Sequence, residues 1–407
     1  MVRRIAGMFF ILILFSGVNL YAGQTVSIFW AEYDGDTPEY TQQLEKAFEG
    51  AHPDIDLKII RTSWNNLHDR LVTSIKDKNE PDLSVIGTRW LLEFEDLDVL
   101  EPIEQHLNKS LLDNIDPSSM EGKIDATLYG LPVAMGTRIM YYRPDLVGDP
   151  PATFEELREK AKRAHHPPGV YGVGMVGRRY VENTDFVYYL YANGGDYFHT
   201  NENGSIGASA LTAQAAITAL TFMNDLVNKD KITQPDVGAY GRDEVQDLFL
   251  AGKLAFFFGG GQTASLLKKN KVSFKWDVAQ IPAFAGHEKS SLLVTDSIVM
   301  FKRSKNKKAA ADFLAFFYKD KWRLGFDKNT GFPPVTKSLG NNEAFQSPVY
   351  KTMVASTPGA KGWPLIAEWP RANDIIWEAI ENMFQGDAAP KDALVRAAQK
   401  IDHLRKE

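Results

Sequence analysis

Side chains that could make or break covalent bonds are present in this sequence, but none falls into a pattern that organises catalysis. There is no His-Glu-x-x-His, no phosphate loop ending in Gly-Lys-Ser/Thr and no Gly-x-Ser-x-Gly elbow. His165 and His166 are followed by Pro167 and Pro168, with no Cys or third His at metal-ligand spacing. Gly172-Val173-Gly174-Met175-Val176-Gly177 spells a dinucleotide fingerprint, yet its glycines lie within a strand-like run and not between a strand and a helix. Tyr141 and Tyr142 would alternate across a strand and so could not share one metal ion. No two carboxylates are marked by position as a glycosidase's acid and base. Asn203-Gly204-Ser205 reads as an Asn-Gly turn.

What remains is a set of flat rings, amides and charges that follow strand-like runs. Ligands of open α/β sheets bind just beyond the carboxyl ends of the strands. That rule selects Trp30, Glu32 and Tyr33 after a first run, and Trp64 after a second. It adds Thr88, Arg89 and Trp90 after a third, and Gly259, Gly260, Gly261 and Gln262 after Phe256-Phe257-Phe258. The glycines let backbone N–H groups approach a ligand. Such residues hold a molecule by hydrogen bonds and ring faces; they do not transform it. The chain has 8 Trp, 15 Tyr and 24 Phe, most of which must be core, and Trp276, Trp322 and Trp377 read as packing residues.

The elements that position these residues alternate regularly. Strand-like runs at 25–30, 55–60 and 82–86 enclose helix-like runs at 39–50 and 64–78, with Leu44, Ala47 and Phe48 on one helical face. Further helices are expected at 153–165, 213–229, 242–251, 307–319 and 372–385, and further strands at 138–142, 253–258, 276–281 and 297–301. Thr153 with Glu156 has the spacing of a capping box. Short apolar strands separated by helices point to α/β architecture with mainly parallel sheets flanked by helices.

Gross composition narrows the role. Two arginines, an apolar run at 5–15 and Leu20-Tyr21-Ala22-Gly23 have the layout of a signal peptide over residues 1–22, cleaved after Ala22. The run is too short to span a bilayer, which needs about 20 residues. With no cysteine, the chain has neither a disulfide nor a lipid-anchor site, which implies a soluble, periplasmic protein. Loss of Arg3 and Arg4 leaves 44 basic against 52 acidic residues, a balance unsuited to a nucleic-acid partner. The remaining length suits two lobes better than one.

Residues 129–146 (YGLPVAMGTRIMYYRPDL) resemble the signature segment of the extracellular solute-binding proteins of carbohydrate ABC importers, the maltose-binding-like group. Arg143 stands where that family usually has Asn or Asp. The likeness continues through 150–157 (PPATFEEL), 192–196 (ANGGD), 249–261 (FLAGKLAFFFGGG), 304–306 (SKN) and 331–334 (GFPP), in order. The resemblance implies a two-lobed type II periplasmic-binding fold joined by a hinge. Its lobes would be residues 23–133 plus 296–335 and 134–295 plus 336–407, with crossings near 132–137, 294–296 and 334–339. It further implies a monomer without cofactor that closes on a sugar and hands it to the membrane permease. Asp296 would lie at a crossing. Trp363, Glu368, Trp369 and Arg371, in a Pro-interrupted loop before a helix at Ala372, match a region where the family places a stacking aromatic and an arginine. The alternatives are a non-sugar solute on the same fold and, in another class, an exported carbohydrate-active enzyme.

Overall fold

The computed structural model describes residues 23–35, 37–179 and 185–406; the expected signal peptide and its cleavage site lie outside them. Two sheets with flanking helices make two lobes. The larger sheet runs Ala360–Lys361, Ser291–Phe301, Leu83–Gly87, Gln24–Glu32, Ile55–Ser63, with Leu100–Glu101 and Gly130–Thr137 also paired to Ser291–Phe301. Gln24–Glu32 is parallel to both Ile55–Ser63 and Leu83–Gly87. Its residues 26, 28, 29, 30 and 31 are all buried, as a strand covered on both faces requires. Helices Pro38–Ala51, Trp64–Lys76, Lys307–Phe317 and Asp320–Thr330 belong to this lobe. Phe48, on the buried face of the first helix, meets Phe313 and Phe316 edge-on at 5.5 Å.

The second sheet runs Asp277–Ala279, Ile139–Tyr142, Leu254–Gly259, Tyr171–Val173. It is mixed: Ile139–Tyr142 is antiparallel to both its neighbours, and only Leu254–Gly259 and Tyr171–Val173 are parallel. The reason is topological. Ile139–Tyr142 follows directly on Gly130–Thr137 of the other sheet and enters from the hinge side. Tyr141 and Tyr142 do alternate there. The Tyr141 hydroxyl donates to the Gly260 carbonyl at 2.7 Å, whereas that of Tyr142 points toward Asp277.

The two hinge segments differ from their expected form. Gly130–Thr137 is a strand where none is expected before residue 138, and it pairs antiparallel with an 11-residue strand, Ser291–Phe301, from Leu293↔Thr137 to Val299↔Gly130. The expected strand at 297–301 is thus only the far half of a ribbon, with a bulge between Asp296 and Ser297. In the third connection, Thr336 still bridges Ile115 and Ser338 still bonds Asn114, both in the first lobe.

Other departures are local. The helix expected from Ala372 begins at Trp369, because Pro370 in the first turn lacks only an N–H that would have no helical partner there. The expected helix at 213–229 divides into Gln214–Asn224 and a π-helical turn, Asp225–Lys229. Thr153 does cap its helix through the Glu156 N–H at 3.1 Å, but the Glu156 carboxylate returns to Ala152 rather than to Thr153. Arg143 bonds the Gly252 carbonyl and Asp145 and lies over Phe274, so it is a structural tie between loops.

One ion pair is fully buried beside the hinge. Arg323 and Asp327, one turn apart and both 0% exposed, are hydrogen-bonded, and Arg323 also donates to the Val133 carbonyl of a crossing strand at 2.7 Å. Its guanidinium lies 4.9 Å from the Phe317 ring centre and 5.0 Å from that of Phe326. Arg323→Leu strands the carboxylate in this apolar shell and is expected to cost roughly 3–5 kcal/mol, because an unpaired buried charge loses its compensation. The double replacement Arg323→Met/Asp327→Leu should recover most of that loss in urea unfolding. Equal losses in the single and double variants would contradict this account of the pair.

Candidate functional site

The facing edges of the lobes form two chambers on either side of a wall of three packed side chains. Trp64 opens the helix that follows the second strand, and Trp90 closes the single turn Thr88–Trp90 after the third. Their rings meet edge-on at 5.9 Å, and the Arg89 guanidinium lies 5.0 Å from Trp90 and 5.9 Å from Trp64. Sequence spacing fixes this cluster, since each residue comes immediately after a strand end.

The inner chamber lies against the hinge ribbon. Asp296, at the bulge of the long strand, accepts the Tyr33 hydroxyl at 3.0 Å and faces Arg89 at 3.9 Å, with both charged side chains 3% exposed. Arg138, Arg242 and Gln262 come in from the second lobe, opposite Asp34. Gln246 donates to Asp34 across the gap at 3.3 Å while accepting from Thr263 at 2.7 Å. The backbones of the two lobes touch directly. A Cβ on Gly261 would stand 2.0 Å from the carbonyl oxygen of Gly331, a residue that itself has φ +76°. These contacts bring the lobes together at this edge and leave about 30 Å³, room for a water or two and not for a pyranose.

The outer chamber is larger, about 480 Å³, within the roughly 300–1,000 Å³ of small-molecule sites. From the first lobe it receives Trp90, Glu93 and one face of the Trp64–Lys76 helix, namely Asn65, His68 and Asp69 at i, i+3, i+4 spacing. His68 is 2.6 Å from Glu93 and packs on Trp90 and Phe94. From the second lobe come Arg179 and the first two turns of the Trp369–Gln385 helix: Trp369, Pro370, Arg371, Asn373 and Asp374. Arg179 pairs with Asp374 at 2.5 Å. Burial raises the Asp374 carboxyl above its ordinary value; Arg179 opposes this, and the charge of Asp69 across the chamber adds to it. The lobes therefore sense each other electrostatically here as well.

The residues selected from sequence divide between these places. Tyr33, Trp64, Arg89, Gln262 and Asp296 line the inner chamber, and Trp90, Trp369 and Arg371 the outer one. Gly260 and Gly261 lie at the inter-lobe contact beside Gln262. Five selections, Trp30, Glu32, Trp363, Thr88 and Glu368, lie elsewhere. Trp30 is fully buried, edge-on to Phe317 at 5.2 Å and Phe326 at 5.7 Å, because its side chain points into the helical layer. Glu32, half exposed, pairs with Arg61 at 3.6 Å. Trp363 is buried against Trp369, ring centres 5.5 Å apart; Trp369 is itself 1% exposed, with Tyr197 edge-on at 5.2 Å, so most of its ring is packed in the second lobe. Thr88 bonds Ser297 at 2.9 Å inside the sheet layer, and Glu368 is the N-cap residue of the Trp369–Gln385 helix. The wall residues missed by the strand-end rule, Asn65, His68, Asp69, Asn373 and Asp374, all sit on helices, where their polar spacing reads as an ordinary solvated face. The glycine-rich run at 172–177 continues into no helix through 179, and Gly172 is pressed against Ala161, so packing explains it.

Comparison with known proteins agrees with this architecture. A family model described as bacterial extracellular solute-binding protein matches residues 34–323. A putative binding protein of Brucella abortus is 31% identical over 388 residues, covering 92% of each chain. Among solved structures, an ABC transporter solute-binding protein of Thermotoga lettingae bound with α-D-tagatose aligns with a TM-score of 0.84 at 22% identity, covering 94% of this chain and 99% of that one. A maltose-bound T. maritima protein aligns with a TM-score of 0.82 at 22% identity, covering 94% and 100%. Two α/β lobes around a hinge ribbon, with the rings and polar groups gathered at their facing edges, are the type II periplasmic-binding fold, and the chain belongs to the bacterial extracellular solute-binding protein family.

Proposed function

We propose that this chain is the periplasmic capture component of an ABC importer, and that its solute is a small saccharide held between the lobes and released unaltered to the membrane permease. The observation that carries this reading is the outer chamber, which sets Trp90 of one lobe and Trp369 of the other around a space rimmed by two amides, guanidinium groups and carboxylates. A sugar ring has C–H patches that suit indole faces and a girdle of hydroxyls that suits those polar groups. Relatives of the same fold hold tagatose and maltose, which supports a saccharide over other polar solutes. Arg89, Tyr33, Trp64, Gln262, Gly260, Gly261 and Asp296 then serve as the inner floor, and Arg371 as a rim contact.

The mechanism is differential affinity. A ligand resting on the first lobe gains the contacts of Trp369 and Arg371 only when the second lobe swings in, so binding favours the closed form. No bond is broken, and the permease reads the mouth of the closed pair.

Calorimetric titration against a saccharide panel is expected to show one-site binding, with the sugar recovered chemically intact; steady product formation would sink the reading. Trp369→Ala is expected to weaken that binding about tenfold or more, since it removes the ring that lines the chamber together with its packing on Trp363 and Tyr197. An unchanged affinity would remove Trp369 from the site.

A further inference from the structure

Among the residues of the outer chamber, Asn373 has a feature that packing alone does not explain. It sits in the second turn of the Trp369–Gln385 helix, 5% exposed, and its Oδ1 is buried without a hydrogen-bond partner. Buried side-chain amide oxygens are rarely left in this condition. Asparagine is also a poor choice for a helix interior, where it loses the local bonds that make it useful in turns and caps. An apolar residue there would fill the same space and favour the helix more. The side chain nevertheless lines the chamber. It lies four residues beyond Trp369, hence one turn below it on the same helix face. The terminal torsion of an Asn side chain is soft and roughly two-fold, so a half-turn presents the oxygen to an occupant.

We propose that Asn373 is a specificity-determining residue whose amide oxygen accepts a hydrogen bond from one hydroxyl of a saccharide lying against Trp369. The proposal rests on the reading of the cleft as a saccharide site and adds how that site chooses among saccharides. With the saccharide against the part of the indole that lines the chamber, a hydroxyl at its edge reaches the amide one helical turn below. A sugar that lacks this hydroxyl leaves the oxygen still unpaired and binds more weakly. Sites built to bond a hydroxyl discriminate sharply against analogues without it, for that reason. The polar neighbours divide the remaining work. Arg179 is engaged with Asp374, and His68 with Glu93.

The test uses the full mature chain and whichever of D-glucose, D-galactose, D-tagatose and maltose binds the wild type most tightly, together with its monodeoxy analogues. Asn373→Leu, which has the same number and branching of side-chain heavy atoms and carries no polar atom, is expected to weaken the parent sugar at least tenfold. One deoxy analogue should be weakened to the same degree in the wild type and suffer no further loss in the variant. Asn373→Asp, which keeps the acceptor, should restore affinity to within a few-fold and restore the discrimination. The ligand-free melting temperature of Asn373→Leu should be unchanged or raised, since an unsatisfied polar atom has been removed. Trp377→Phe removes an indole N–H that also lacks a partner one turn further on and should leave sugar binding unchanged. If Asn373→Leu binds the parent sugar as tightly as the wild type, or if Trp377→Phe abolishes the discrimination, the role of Asn373 falls while the saccharide reading stands. If the wild type binds none of the four sugars, that reading falls and this proposal with it.

Discussion

The antiparallel pairing of Gly130–Thr137 with Ser291–Phe301 is the constraint on which the rest depends. Backbone hydrogen bonds across this ribbon stiffen it along its length and leave bending at its ends as the soft motion. Because the ribbon lies in the first sheet and its strands lead directly into or out of the second lobe, the two halves can hinge without unfolding either. The bulge at Asp296 falls at the centre of this ribbon and turns a carboxylate toward the cleft, where Tyr33 and Arg89 meet it. Hinge, floor and first-lobe wall are therefore coupled through one side chain.

Behind the ribbon, the buried Arg323–Asp327 pair ties the Asp320–Thr330 helix to Val133, and Tyr318, at the end of the Lys307–Phe317 helix, ties that helix to the Pro132 carbonyl at 2.7 Å. A charge placed in an aromatic shell is expensive unless every contact is kept. The pair thus holds the helical layer in one position against the crossing strands. In front of the ribbon, the lobes meet through polar and glycine contacts, while one cluster of buried apolar residues runs from the first lobe into the second. Closure that buried a large apolar surface would be hard to reverse, whereas contacts such as Gln246 with Asp34 exchange readily with water.

Much of this was legible beforehand. The β-α alternation over the first hundred residues gave the first sheet, because each strand was short and apolar and each helix carried one buried face. The rule that ligands sit beyond strand ends selected Tyr33, Trp64, Arg89 and Gln262, which line the inner chamber, since strand ends are marked by an abrupt change of pattern; Asp296, in the same chamber, was singled out only by the crossing that the resemblance implies. It erred at Trp30, one residue too early, where alternation still points the ring into the core. Prolines and glycines misled twice. Pro370 reads as a helix breaker but occupies the first turn, and Gly130, Pro132 and Gly136 disguise a crossing strand as a loop. The helix-borne polar residues of the outer chamber were invisible for a different reason. Only the approach of a second lobe distinguishes Asn373 or His68 from surface residues, and that approach is encoded far away in the chain.

The central claim, that two halves swing together on an intact guest, can be measured directly because the sequence contains no cysteine to compete for labels. Spin labels attached through Asp96→Cys on the first lobe and Asp387→Cys on the second would report the distance across the outer chamber. Saturation with a sugar shown by calorimetry to bind should collapse a broad or two-peaked distance distribution into a single shorter one. Identical distributions with and without that sugar would contradict the account.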